Sequence, residues 1–192
     1  METSVVFSIF LSIALGVSLS AAAGFRVFVP FLVMSVAALS GHLSLGDSWS
    51  WIGTYPALLV FAIATVVEIV AYYIPWLDNV LDTITTPAAI VAGILLTAAS
   101  ITDLSPLLTW TLAIIAGGGA AALVQVGTVS VRGLSTVTTL GFGNFIVSTG
   151  ELIGSVVASI LAVVLPLLAF ILVILLFIWM VRVIIRVRHR LS

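Results

Sequence analysis

From Val5 to Ser40 the chain carries a single charged residue, Arg26, and from Leu152 to Val181 it carries none. Runs of this kind suit a bilayer, because a spanning helix needs roughly 20 apolar residues to cross about 30 Å of hydrocarbon. Lipid offers no partner for backbone N–H and C=O groups, so each run has to satisfy them within itself, as a helix does. The composition agrees: 62% of residues are hydrophobic and 7% are charged, whereas a soluble domain carries about a quarter charged residues. The chain therefore reads as all-α, a polytopic membrane helix bundle forming a single domain over residues 1–192.

The first run is too long for one span and has no polar loop for a comfortable hairpin. Gly24-Phe25-Arg26 and Pro30 interrupt it, which predicts a broken helix with halves near 5–22 and 27–40 and Arg26 at the break. Ala21-Ala22-Ala23 would suit a signal-peptide cleavage site, but the chain begins Met-Glu-Thr-Ser without a positive n-region, so this run reads as the first membrane segment. His42 to Tyr55 reads as a loop, with Trp49, Trp51 and Tyr55 at aromatic-belt depth. Pro56, Pro87 and Pro106 each suit the first position of a helix, with Thr86 and Ser105 as candidate N-caps. The expected segments are 56–74, 87–101, 106 to about 131, 144–165 and 166–187. With the broken helix these make about six spans, and an even count puts both termini on one side of the membrane.

All six basic residues are Arg, and Arg182, Arg186, Arg188 and Arg190 cluster at the end of the chain. Such a tail anchors topology, touches anionic lipid and places the C-terminus in the cytoplasm. A net charge of −1 gives no footprint for nucleic acid, and the absence of Cys excludes disulfides, thiolate metal sites and a cysteine nucleophile. Gly117-Gly118-Gly119 and the alanines after it form a small-residue face suited to close helix packing, and thus to a homo-oligomer.

Gln125–Glu151 is the one long polar stretch. It carries Arg132, Ser135, Thr136, Thr139, Asn144, Ser148 and Glu151, which either line a polar cavity or leave unsatisfied groups in hydrocarbon. Its oxygens with Glu151 would suit Na⁺ or H⁺, and Arg132 with free N–H groups would suit an anion. The plainer reading is a capped loop. On a helix Glu68 shares a face with Thr65 and Tyr72, and Glu151 shares one with Ser148, Ser155 and Ser159. Arg26 and Arg132 are the only basic residues outside the tail, so charge balance suggests that they meet Glu68 and Glu151 inside the bundle. Ionisable residues within a membrane point to function by default.

The spacing from Gly16 to Arg26 equals that from Ala122 to Arg132, and each half later carries a Glu, Glu68 or Glu151. That echo suggests two inverted three-element repeats, 5–103 and 106–190, as in secondary transporters. Asp78 and Asp82 stand at i,i+4 after Pro75-Trp76, where a cation could bridge them or water could solvate them.

The chain resembles the DUF4126 family of uncharacterised bacterial integral membrane proteins. The likeness rests on Gly24-Phe25-Arg26 with Pro30, Pro56-Ala57-Leu58, Glu68, Pro75-Trp76, Asp78 and Asp82, Pro87, Arg132 with Ser135-Thr136, Gly143-Asn144, and Ser148 with Glu151. It covers nearly the whole chain, and implies a polytopic α-helical fold in a bacterial inner membrane but no activity. Family members often carry Pro after the Gly-Asn pair, where this chain has Phe145.

The residues favour a small transporter or channel for an ion or small polar solute, H⁺- or Na⁺-coupled, with Arg26, Glu68, Arg132, Ser135, Thr136, Thr139, Asn144, Ser148 and Glu151 along its path. A lipid-modifying enzyme holding a metal at Asp78 and Asp82 is the alternative, although no nucleophile, base, H-E-x-x-H or G-x-S-x-G motif supports it. A non-catalytic scaffold is a third reading. No cofactor is implied, and the partners are the bilayer, the solute and further copies of the chain.

Overall fold

The computed structural model describes residues 2–74 and 77–191, without the side chains of 2, 78, 79, 184 and 187–191. In chain order the helices are α1 (Glu2–Ala23), α2 (Val29–Leu39), a 3₁₀ segment (Asp47–Gly53), α3 (Tyr55–Tyr72), α4 (Leu77–Ser100), α5 (Pro106–Leu112), a π-helical segment (Ala113–Gly118), α6 (Gly119–Thr139), α7 (Asn144–Val164) and α8 (Pro166–Leu191). Six stretches are long and apolar enough to cross a membrane, the longest being Pro106–Thr139, in which α5, the π segment and α6 run on without a break. The molecule is thus a multi-pass membrane protein built only of helices among its described residues.

Helix α1 is the core of the bundle, since small residues let its neighbours approach on several sides. A Cβ on Gly16 would lie 2.9 Å from Thr97 Cα, and one on Gly24 would lie 2.6 Å from both Ala121 O and Val124 Cβ. Between these levels Ser20 Oγ donates to Gly93 O at 2.6 Å and shares a 2.8 Å hydrogen bond with Thr97 Oγ1. Because Gly16 meets Thr97 while Ser20 meets Gly93, α1 and α4 run antiparallel. The same reasoning sets α6 antiparallel to α4, for Gly117 meets Thr97 whereas Gln125 bonds Thr85. Ser155 bonds Ala22 O and Ser148 O receives Arg26, so α7 is antiparallel to α1. Phe10 packs on Phe170 and Gly127 on Met180, which sets α8 parallel to α1 and α6.

The break after α1 falls where the sequence places it, but α2 does not continue across the bilayer. It turns back beside α3: Phe28 meets Glu68, Phe31 stacks on Phe61 at 5.2 Å, and Gly53 reaches Ala38. The α1–α2 unit is therefore a hairpin, and this return changes the parity of the chain. The N-terminus lies with the 42–54 loop and Asp103, to which Ser8 donates a hydrogen bond, whereas α8 ends at the opposite face. The expectation that both termini share one side fails for this reason. We call the two sides the N-terminal and C-terminal faces.

Two further expectations change. Pro87 lies inside α4 instead of starting it, and Thr86 is no N-cap but donates its hydroxyl to Asp82 O, one turn back. Pro56 and Pro106 do sit in first turns, where Thr54 Oγ1 caps Ala57 N of α3. The small-residue face of 117–122 faces inward, with Gly117, Gly118, Ala120 and Ala121 buried against this chain's own α1 and α4. Gly119 and Ala122 are partly exposed, but the glycines and alanines that pack closely face this chain's own helices.

Candidate functional site

The polar stretch is mainly helix. Gln125–Thr139 completes α6, a turn at 140–143 reverses the chain, and Asn144–Glu151 opens α7. The turn is tight: Leu140 and Gly141 take φ of 54° and 89°, a left-handed pair that usually calls for glycine. Its hydroxyls are used to close it. Thr139 Oγ1 donates to Ser135 O and accepts from Gly143 N, both within 2.8 Å, while Asn144 Nδ2 donates to Thr136 Oγ1 at 2.9 Å. The Ser135 carbonyl and the Thr136, Thr139 and Asn144 side chains thus brace the α6–α7 turn, while Ser135 Oγ is buried without a hydrogen-bond partner among the described residues.

Beyond that brace lies a buried ion cluster drawn from four helices, α3, α4, α6 and α7, and the α1–α2 turn. Arg26 reaches it because Gly24 lets the end of α1 lie on α6, and its side chain is 1% exposed. Its Nη2 donates to Ser148 O at 3.0 Å and lies 3.4 Å from Glu151 Oε2. Arg132 donates from Nη2 to the same Glu151 oxygen in a very short contact and from Nη1 to Asp82 Oδ1 at 2.8 Å. One carboxylate on α7 therefore serves two guanidiniums, and Asp82 on α4 serves the second of them.

Tyr72 completes the group. Arg26 Cζ and Arg132 Cζ lie over its ring, 3.8 and 4.2 Å from the centroid, contacts that the ring quadrupole favours most where water is absent. Its hydroxyl shares a 2.8 Å hydrogen bond with Thr85 and donates to Asp82 at 3.3 Å. Glu68, one helical turn earlier on α3, is buried but forms no ion pair among the described residues. Its Oε1 accepts Val27 N–H at 2.7 Å and its Oε2 accepts Phe28 N–H at 3.0 Å. It caps α2, whose first amides have no intrahelical acceptor and whose dipole favours a negative charge.

The charge-balance expectation thus holds for Glu151 and fails for Glu68, whose place as an Arg partner is taken by Asp82. Asp82 of the expected Asp78/Asp82 cation site pairs with Arg132 through Oδ1; the Asp78 side chain lies outside the described residues. No group of three or more His, Cys, Asp or Glu able to hold a metal occurs among those residues. The antiparallel return that brings the Val27 and Phe28 amides to Glu68 carries no signal in the sequence. A hint of the role of Tyr72 was its place on the Glu68 face.

The cluster is off-centre. Arg132 and Glu151 each lie seven residues from the α6–α7 turn, about 10 Å along a helix, so the site sits towards the C-terminal face. Cavities reach its edges: one of about 180 Å³ includes Tyr72 and Asn144, one of about 480 Å³ includes Asp82 and Thr86, and one of about 290 Å³ includes Thr128 and Glu151. Within it, Arg26 Nε and Nη1, Arg132 Nε, Ser148 Oγ and Glu151 Oε1 are buried without a hydrogen-bond partner. Most buried polar groups find partners, and those that do not call for a specific explanation.

The inverted-repeat idea meets a geometric obstacle. Helices α1 and α6, which lead to Arg26 and Arg132, run the same way, whereas α3 and α7, which carry Glu68 and Glu151, run opposite ways. One two-fold axis in the membrane plane cannot relate both pairs.

Fold and site together define a small all-α membrane protein that buries a multi-residue ion cluster. The family described as a domain of unknown function, DUF4126, matches residues 13–186, and the chain belongs to it. No curated protein and no solved structure matches the chain.

Proposed function

We propose that the protein is a small carrier or channel that moves an ion or small polar solute, coupled to H⁺ or Na⁺, through the Arg26/Arg132/Glu151 cluster. The observation that supports this reading is the set of open valences in that cluster. Three guanidinium nitrogens, a hydroxyl and a carboxylate oxygen lie together in the bundle interior without a hydrogen-bond partner among the described residues. A cluster kept only for stability would gain by closing them, since each unmet group costs about 1–3 kcal/mol. A transit site has to keep such valences for its cargo. Cavities at Tyr72 and Asp82 face the C-terminal side, and the Arg residues near the end of the sequence support a cytoplasmic position for that side in a bacterial inner membrane.

The test is reconstitution into liposomes with a pH-sensitive dye inside and imposed H⁺ or Na⁺ gradients, preceded by a thermal-shift screen over ions and small anions. Flux that needs the protein and disappears in a folded Glu151→Gln variant is the expected result. A silent protein in every gradient, with no ligand shift, would favour the scaffold reading.

A further inference from the structure

Three carboxylates and two guanidiniums occupy the interior of the C-terminal half of the bundle. Asp82 and Glu151 take the two Arg side chains, which leaves Glu68 as the acid without a salt bridge among the described residues. Its two oxygens hold the two amides at the α1–α2 turn, 2.7 and 3.0 Å away. A buried carboxylate with no ion partner is the member of the set whose charge a proton can cancel at least cost to the others. A metal ion is a poor competitor there, because it would meet two N–H donors and the positive charges of Arg26 and Arg132, both of which act on Glu68 through space.

From this geometry we infer that Glu68 is a proton-binding latch: ionised, it caps α2 and holds the α1–α2 turn closed, and protonated, it releases that turn. As a coupling site it rests on the carrier reading above, but the latch itself does not. When the proton binds, one carboxylate oxygen becomes O–H, a much weaker acceptor than the anion, so the hydrogen bond to one of the Val27 and Phe28 amides is weakened. The charge that favoured the helix N-terminus is lost in the same step. The groups that face Glu68 and share its electrostatics are Thr65 and Tyr72 on its own helix, Arg26 on the turn, Arg132 on α6, Glu151 on α7 through Arg26, and Asp82 on α4 through Tyr72.

A cavity approaches this acid from the N-terminal face. This cavity, of about 680 Å³ between α2, α3 and α7, runs from Ser40 and His42 to Thr65, one turn before Glu68, and the Thr65 hydroxyl is buried without a partner. Release of α2 would widen this cavity and uncover Arg26, so that the cluster would open to one face when Glu68 is protonated.

The experiment uses the Cys-free chain in native-lipid nanodiscs, with spin labels at Ser40→Cys and Val164→Cys, which both line the cavity. The distance between the labels should grow on acidification in the otherwise unaltered chain and be long and flat with pH in Glu68→Gln. A wild-type pH response that survives in Glu68→Gln, or no response in either, overturns the latch. Where Glu68→Gln does not fold, hydrogen exchange at Val27 and Phe28 decides, after correction for its intrinsic pH dependence. Faster exchange on acidification supports the latch, and unchanged protection while the labels separate overturns it. Label movement without proton-coupled flux leaves the latch and removes the carrier. Proton-coupled flux that Glu68→Gln leaves unchanged removes the latch and keeps the carrier.

Discussion

Glu151 and Asp82 both neutralise Arg132, yet they should not be equally important. Glu151 is 5% exposed and serves two guanidiniums, whereas Asp82 is 12% exposed and serves one. Removing one partner of a buried pair strands the other charge at roughly 3–5 kcal/mol, so Glu151→Gln is expected to lose about that much. Asp82→Asn should lose nearer 1.5–3 kcal/mol, the range for a hydrogen bond to a charged group. Thermal unfolding in nanodiscs checks the order, and an equal or reversed pair of losses would show that Glu151 is not the shared anchor. Tyr72 separates two contributions in the same way. Tyr72→Phe keeps the ring under both guanidiniums and loses the Thr85 and Asp82 hydrogen bonds, about 1–3 kcal/mol for the two. Tyr72→Leu loses the ring as well and should cost about 2 kcal/mol more. Arg26, Glu68, Arg132 and Glu151 stand out in the sequence because each is a charge in an apolar context. Which acid meets which Arg is not written there, since pairing depends on helix rotation and on the return of α2. That is why Asp82, read as either a cation ligand or a solvated acid, is found beside Arg132 instead.

At the scale of elements, the bundle depends on glycines that admit a neighbouring backbone. A Cβ on Gly117 would lie 2.6 Å from Gly93 O and 2.8 Å from Thr97 Cβ, whereas one on Gly119 would meet nothing within 4 Å. Gly117→Ala should therefore force α4 away from the π segment at an overpacking cost of about 1–3 kcal/mol. Gly119→Ala should be neutral or gain about 0.5–1 kcal/mol from helix propensity. Equal effects at the two positions in a detergent-stability assay would contradict the packing described for α4. The small-residue pattern is legible in sequence as a close-packing face, but its partner is not, because α4 and another copy of the chain would both fit it. Pro87 was legible as a helix feature and misplaced as a helix start. A proline at the first turn and one inside a membrane helix look alike when the preceding segment, Leu77–Thr86, is mixed in polarity.

For the whole molecule the deciding feature is the hairpin of α1 and α2. Counted as one broken span, residues 5–40 give an even number of crossings and two termini on one side; folded back, they add a return and separate the termini. By the positive-inside rule the Arg cluster near the end of the sequence favours one absolute orientation, with the C-terminal face expected in the cytoplasm and the N-terminus with the 42–54 loop outside. Single cysteines at Thr3, Asp47 and Arg186 distinguish the arrangements in intact cells with a membrane-impermeant maleimide. Thr3→Cys and Asp47→Cys should label from outside, and Arg186→Cys only after the membrane is opened. In the broken-span arrangement Thr3→Cys would behave like Arg186→Cys, against Asp47→Cys, so the N-terminal position carries the decision. The consequence reaches the candidate site, for only the hairpin returns α2 beside α3 and brings the Val27 and Phe28 amides to Glu68. Labelling of Thr3→Cys together with Arg186→Cys would leave Glu68 without the amides it caps and remove the latch along with the topology.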